Sequence, residues 1–122
     1  MAKSIKELTK EIDDFSEVRD WANDDPNQLI TSIFIELGEL AEHYQWKNEF
    51  EKFSEEKKLE VGFEYVDVIF YLFRLASKSG IDIEKYFNLK IKKLETKFPI
   101  GSDGTKQHLL YRKTEKNKRT VR

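Results

Sequence analysis

The chain has 122 residues, 39% of them hydrophobic, with 22 Lys and Arg against 23 Asp and Glu and no cysteine. That length is one domain's worth, enough for a core without covalent staples, and a chain without cysteine can form neither a disulfide nor a thiolate metal site. The net charge of −1 hides a split, with 15 basic and 21 acidic residues through position 99 but 7 and 2 in residues 100–122; an acidic body lacks the basic surface that duplex-DNA binding requires.

No stretch approaches the roughly 18 uninterrupted apolar residues of a membrane span. The charged opening MAKSIKELTKEI does not resemble a signal peptide, so the expected compartment is the cytoplasm. Five glycines and two prolines leave little punctuation, which favours long helices over many short strands. The expected fold class is therefore all-α.

The first helix is predicted over residues 4–22. Ile5, Leu8, Ile12, Phe15 and Val18 recur at steps of three and four and make one apolar stripe. Ser4 caps it, with Glu7 completing a capping box. Asp25 followed by Pro26 reads as an N-cap with proline at the first helical position, opening a second helix over residues 26–48. Ile33, Leu37, Leu40 and Tyr44 form its core-facing stripe. With Glu36 at zero and about 100° per residue, Glu39 falls near −60°, His43 near −20° and Trp46 near −80°.

Ser54 is the expected cap of a third helix over residues 55–78. Val61, Val68, Leu72 and Leu75 line one side of it, while Val66, Ile69, Phe70 and Phe73 carry apolar surface round to the other. A helix apolar nearly all round is buried nearly all round, which in a small domain implies a second copy of the chain. Gly80 suits the left-handed position that ends the helix. A fourth helix, capped by Asp82, buries Ile83, Tyr86, Phe87, Ile91 and Leu94 and stops before Pro99. The domain expected is 1–99, followed by a basic tail over 100–122.

Two stretches carry the chemistry. Glu36 and Glu39 lie in IELGELAEHYQW, and Glu64 and Asp67 lie in FEYVDVIFYLFRLA. Within each pair the carboxylates are three residues apart and share a helix face. Carboxylates bordering a core are costly unless something pairs with them. Neither motif offers a Lys or Arg among these acids, so a divalent cation is the natural partner. Di-iron bundles use Glu-x-x-His, which is absent here. An all-oxygen set instead suits Mg²⁺, with Mn²⁺ as substitute, and such ions bind phosphates.

Glu36-x-x-Glu39 followed by Glu64-x-x-Asp67 resembles the MazG-like, all-α nucleoside triphosphate pyrophosphohydrolases. Phe15-x-x-x-Arg19-Asp20-Trp21, Gly38-Glu39-Leu40-Ala41-Glu42, Gln45-Trp46-Lys47, Asp67-Val68-Ile69-Phe70-Tyr71, Gly80-Ile81-Asp82 and Lys97-Phe98-Pro99 are similar to the dCTP pyrophosphatase branch. The likeness covers residues 5–99. It implies a four-helix MazG-like bundle protomer, assembling as a dimer or dimer of dimers, that converts a (deoxy)nucleoside triphosphate to the monophosphate and pyrophosphate.

By the same resemblance Glu36, Glu39, Glu64 and Asp67 are the metal-holding and catalytic residues. Trp21 and Trp46 clamp the base, Tyr71 lies near sugar and phosphates, and Lys90 reaches the phosphate tail. House-cleaning of the nucleotide pool, with a dCTP or modified-pyrimidine preference, is the role implied. Asp24-Asp25-Pro26-Asn27-Gln28 departs from the His-x-Pro-x-Asn common in that branch, and Leu94 replaces a common Asn. The rival expectations are a non-catalytic helical oligomerisation or binding protein and a di-iron carboxylate oxidase.

Overall fold

The structure, a computed structural model, describes residues 2–21 and 24–101. It contains α1 (Ile5–Glu17), α2 (Pro26–Glu42), α3 (Glu55–Lys78) and α4 (Ile83–Lys97), and no strand among the described residues. The all-α expectation is met. The chain divides into two units, Met1–Ile83 and Glu84–Arg122. The expected tail lies outside the described residues from position 102 onward.

Local chemistry sets the helix starts. Ser4 accepts from the Glu7 N–H while Glu7 accepts from the Ser4 N–H, the expected capping box. Asp25 and Gln28 form a second box around Pro26, and the Ser54 hydroxyl accepts from the Lys57 N–H. At the end of α3 the Ile81 N–H reaches back to the Ala76 carbonyl. That closure needs a left-handed residue, and Gly80 supplies it with φ 72°.

Two helix ends differ from the sequence reading. α1 stops at Glu17 rather than continuing to 22. Arg19 lays its guanidinium over the Phe15 ring at 3.6 Å and donates to the Phe15 carbonyl. Asp20 then turns left-handed at φ 59°, a conformation that Asp tolerates better than most residues. α2 stops at Glu42 rather than 48. Tyr44 bonds its hydroxyl to that of Tyr65 at 2.9 Å and stacks near Phe53, and Trp46 adopts φ 66°. His, Tyr and Trp are mediocre helix formers, so tertiary contacts decide this end.

In the first unit α3 is the central element, with α1 and α2 both packed on it. The buried apolar core is small: Leu29 and Leu40 from α2 and Val61 from α3. Ser16 and Arg74 are buried beside it. The α3 surface expected to be covered all round is bare in part, with Phe63 62% and Val66 55% exposed. On α4 none of the five residues expected to be buried is so. Tyr86, Phe87 and Ile91 are exposed, and Ile83 and Leu94 are half-buried.

So small a core makes each member count. Leu29→Ala should lower the unfolding free energy by about 2–5 kcal/mol, the usual cost of a buried leucine cavity. Urea denaturation followed by circular dichroism reads it. A loss below about 1 kcal/mol would show that Leu29, 2% exposed, is not a core residue in solution.

Candidate active site

The four carboxylates converge because α2 and α3, consecutive in the chain, pack against each other. Glu36 and Glu64 are half-buried, and Glu39 and Asp67 are exposed at the rim. Burial first, then the charge of Glu39 and a hydrogen bond with it, then the charges of Asp67 and Glu64, push the Glu36 carboxyl above its ordinary range. Among the described residues no Lys or Arg ion pair reaches any of the four. The negative charge is thus concentrated, with His43 against Glu64 as the basic neighbour in ion-pair range.

One neighbour is a histidine. His43, the C-cap of α2, places Nε2 against Glu64 Oε2, with only 10% of the His43 side chain exposed. Nevertheless, Glu64 Oε2 is buried with no aligned hydrogen-bond donor. On the α2 wheel His43 falls near −20°, beside Glu36, and that position was the signal for it. It is packed against an acid.

Beside the acids lies a cleft of about 230 Å³ lined by Trp21, Asp24, Gln28, Leu29, Ser32 and Tyr71. Ser32 is one turn before Glu36 on α2, and Tyr71 is one turn after Asp67 on α3. Both walls of the cleft therefore run into the acidic group. Tyr71 is tied to it electrostatically: burial, then the charges of Glu36, Asp67 and Asp24, hold its phenol above the usual range. It is a hydrogen-bond donor at neutral pH. Trp21 is fixed edge-on against Phe15 at 5.7 Å and Phe70 at 6.4 Å.

The structure thus brings together six of the eight residues picked from the sequence: Glu36, Glu39, Glu64, Asp67, Trp21 and Tyr71. Trp46 is not among the residues lining this cleft. Its predicted place beyond Glu39 assumed a helix to residue 48, whereas the chain leaves helical geometry after Glu42 and exposes 91% of Trp46. Lys90 is half-buried on α4, in the second unit. Sequence reading did not single out Asp24, Gln28 or Ser32 as individual cleft residues. The spacing of Ser32, four before Glu36, was the available signal.

The model of the MazG-like family matches residues 31–109. The chain belongs to the MazG-like family. The matched stretch includes all four carboxylates of this MazG-like protein, whereas α1 and Trp21 precede it. Its sequence is similar to dCTP pyrophosphatase 1 of Rattus norvegicus, at 28% identity over 92 residues, covering 71% of this chain and 54% of the relative. The Bos taurus protein of that name is also 28% identical over 92 residues, with the same shares. The Homo sapiens protein is 33% identical over 75 residues, covering 57% of this chain and 44% of the relative. The chain spans about half the length of the curated relatives it matches.

Among the described residues no helix is long and apolar enough to cross a membrane. Among them, too, no three or more acidic or histidine side chains are placed so that they could together hold a metal ion. What the four carboxylates share is charge: Glu36 is raised by burial and by its acidic neighbours, and Glu64 Oε2 is buried, with His43 as its nearest basic group.

Proposed function

We propose that this MazG-like chain hydrolyses (deoxy)nucleoside triphosphates to the monophosphate and pyrophosphate, with Mg²⁺ or Mn²⁺ held by Glu36, Glu39, Glu64 and Asp67. The observation that carries the reading is the grouping of four carboxylates, none paired with Lys or Arg among the described residues, at the edge of a cleft lined by Trp21 and Tyr71. A cation bound there supplies charge neutralisation and Lewis acidity at the phosphoryl oxygens. The residues of this chain do the rest.

Glu36, Glu39, Glu64 and Asp67 present an oxygen-only face that would hold the cation and, only through it, the phosphate end of a nucleotide. Trp21 offers a ring for a base. The Tyr71 hydroxyl, held protonated, donates to a sugar or phosphate oxygen. His43, packed on Glu64, holds that carboxylate in place. Trp46 and Lys90 enter the reading only through the resemblance, as further base and phosphate contacts. The name of the relatives favours dCTP among the substrates, and a modified pyrimidine enters only through the resemblance.

The bare apolar surface of α3 supports assembly as a homodimer or homotetramer. No specific nucleic-acid binding and a cytoplasmic setting complete the reading. A panel of ordinary and modified (d)NTPs, incubated with Mg²⁺ and scored for pyrophosphate, tests it. Release with at least one triphosphate is expected. A folded chain silent on the whole panel would leave the non-catalytic helical binding protein as the better reading.

A further inference from the structure

The last third of α3 carries hydrogen-bonding side chains outside the acidic group, and Arg74 and Ser77 among them do not line the cleft. Arg74 is 4% exposed, and its Nη1 donates to Asp13 Oδ1 of α1 at 2.8 Å. Ser77 Oγ donates to the other Asp13 oxygen at 2.5 Å. Glu17 Oε1 lies 3.9 Å from the same guanidinium nitrogen. Both oxygens of Asp13 are therefore held by α3. One turn beyond Arg74, Lys78 Nζ donates to the Asp24 carbonyl at 2.7 Å.

A buried arginine is a poor device for stability alone. Its attraction to Asp13 works against the cost of desolvating both charges, and a well-packed apolar pair often serves a core as well or better. Arg74 carries a further cost, because its Nε is buried without a partner. What the contact supplies is direction, since two donors on α3, Arg74 Nη1 and Ser77 Oγ, each hold one oxygen of Asp13. It fixes where Asp13, and so α1, sits along α3.

That register matters for the cleft. α1 ends at Glu17, and the chain turns at Asp20 to lodge Trp21 between Phe15 of α1 and Phe70 of α3. Phe15 is two residues after Asp13, and Phe70 is four before Arg74. A slip of α1 by one helical turn, about 5.4 Å, would carry Trp21 out of the cleft. Lys78 meanwhile holds Asp24, another residue of the cleft wall.

We propose that Arg74 is a positioning residue. Held with Ser77 on Asp13, it sets the register of α1 on α3 and so keeps Trp21 in the cleft with Tyr71, governing nucleotide affinity rather than turnover. The affinity part rests on the cleft being the nucleotide site; the placement of Trp21 does not.

The test uses the full chain with Arg74→Met and Asp13→Leu combined, and with Arg74→Lys alone. Trp21 is followed by emission and acrylamide quenching in a Trp46→Phe background. KM and kcat are measured for a hydrolysed triphosphate in chains retaining Trp46. The double variant should fold, show red-shifted and more quenchable Trp21 emission, and raise KM about ten-fold with kcat within about two-fold. Arg74→Lys, which keeps the charge but replaces the planar guanidinium with a flexible ammonium, should fall between it and the parent.

Trp21 emission and quenching unchanged from the parent in both variants would overturn the proposal, whatever the activity. A displaced Trp21 with KM unchanged would overturn its affinity half. If the double variant fails to fold, Arg74→Lys carries the same readouts. If the parent hydrolyses no triphosphate, the activity reading falls, and fluorescence alone still decides whether Arg74 places Trp21.

Discussion

Glu39→Gln should leave the helices intact and cut pyrophosphate release by about a hundred-fold or more, the scale set by removing one preorganised electrostatic group from an active site. The substitution is nearly isosteric, and Glu39 is exposed at the rim of the acidic group, so no core contact is lost. What changes is charge. An amide carries no charge, so it neither attracts a cation as a carboxylate does nor repels the Glu36 carboxylate. Because Glu39 is the largest charge acting on Glu36, and hydrogen-bonded to it, the Glu36 carboxyl should return toward its ordinary range. The cation-free variant should consequently melt slightly higher than the parent, by about 2–4 °C for relief of one like-charge contact of about 0.5 kcal/mol. Circular dichroism melts and pyrophosphate release measured on the same preparation check both statements. A Glu39→Gln protein as active as the parent would remove the carboxylate group from the mechanism.

Cation removal and pH should act together on stability. Glu36 has its folded-state carboxyl raised by burial and then by Glu39, Asp67 and Glu64; His43 packs on Glu64, and Tyr71 faces Glu36 and Asp67. A carboxyl raised in the folded state contributes stability that is fully present below its ordinary value of 4.5. That contribution is lost as pH rises through the raised value. In chelator, the melting temperature should therefore fall above pH 4.5 more steeply for the parent than for Glu36→Gln. With Mg²⁺ the sign reverses, because the cation needs the carboxylates ionised, and its stabilising increment should grow with pH. At ten times its Kd that increment is about 1.4 kcal/mol, or about 5–10 °C for a domain of this size. Parallel melting curves for parent and Glu36→Gln in chelator would show that the Glu36 charge is not confined. No Mg²⁺ increment at neutral pH would show that the group does not hold the cation.

These two results probe the part of the site that was legible in the sequence. The i, i+3 spacing of Glu36 with Glu39 and of Glu64 with Asp67 is a local property of a helix, so it survives into the structure unchanged. The same holds for the caps at Ser4, Asp25 and Ser54 and for the left-handed Gly80, each set by residues within a few positions of one another. At Trp46 local periodicity no longer decides the structure. A wheel assumes that the helix continues, and whether α2 continued past Glu42 depended on Tyr44 finding Tyr65 and Phe53, neighbours distant in sequence. Arg74 shows it more sharply. In YLFRLA it is one charge in an apolar run, and nothing nearby names Asp13, 61 positions away, as its partner.

The sequence by itself determined the all-α class, the helix starts and the two carboxylate pairs, because helical periodicity and capping act over one or two turns. Only the tertiary structure decided that Tyr71 and Trp21 share a cleft at the edge of those acids, that His43 rests on Glu64, and that Arg74 ties α1 to α3. Those facts depend on how one helix lies against another, and that is fixed by packing and buried pairing between residues far apart in the chain.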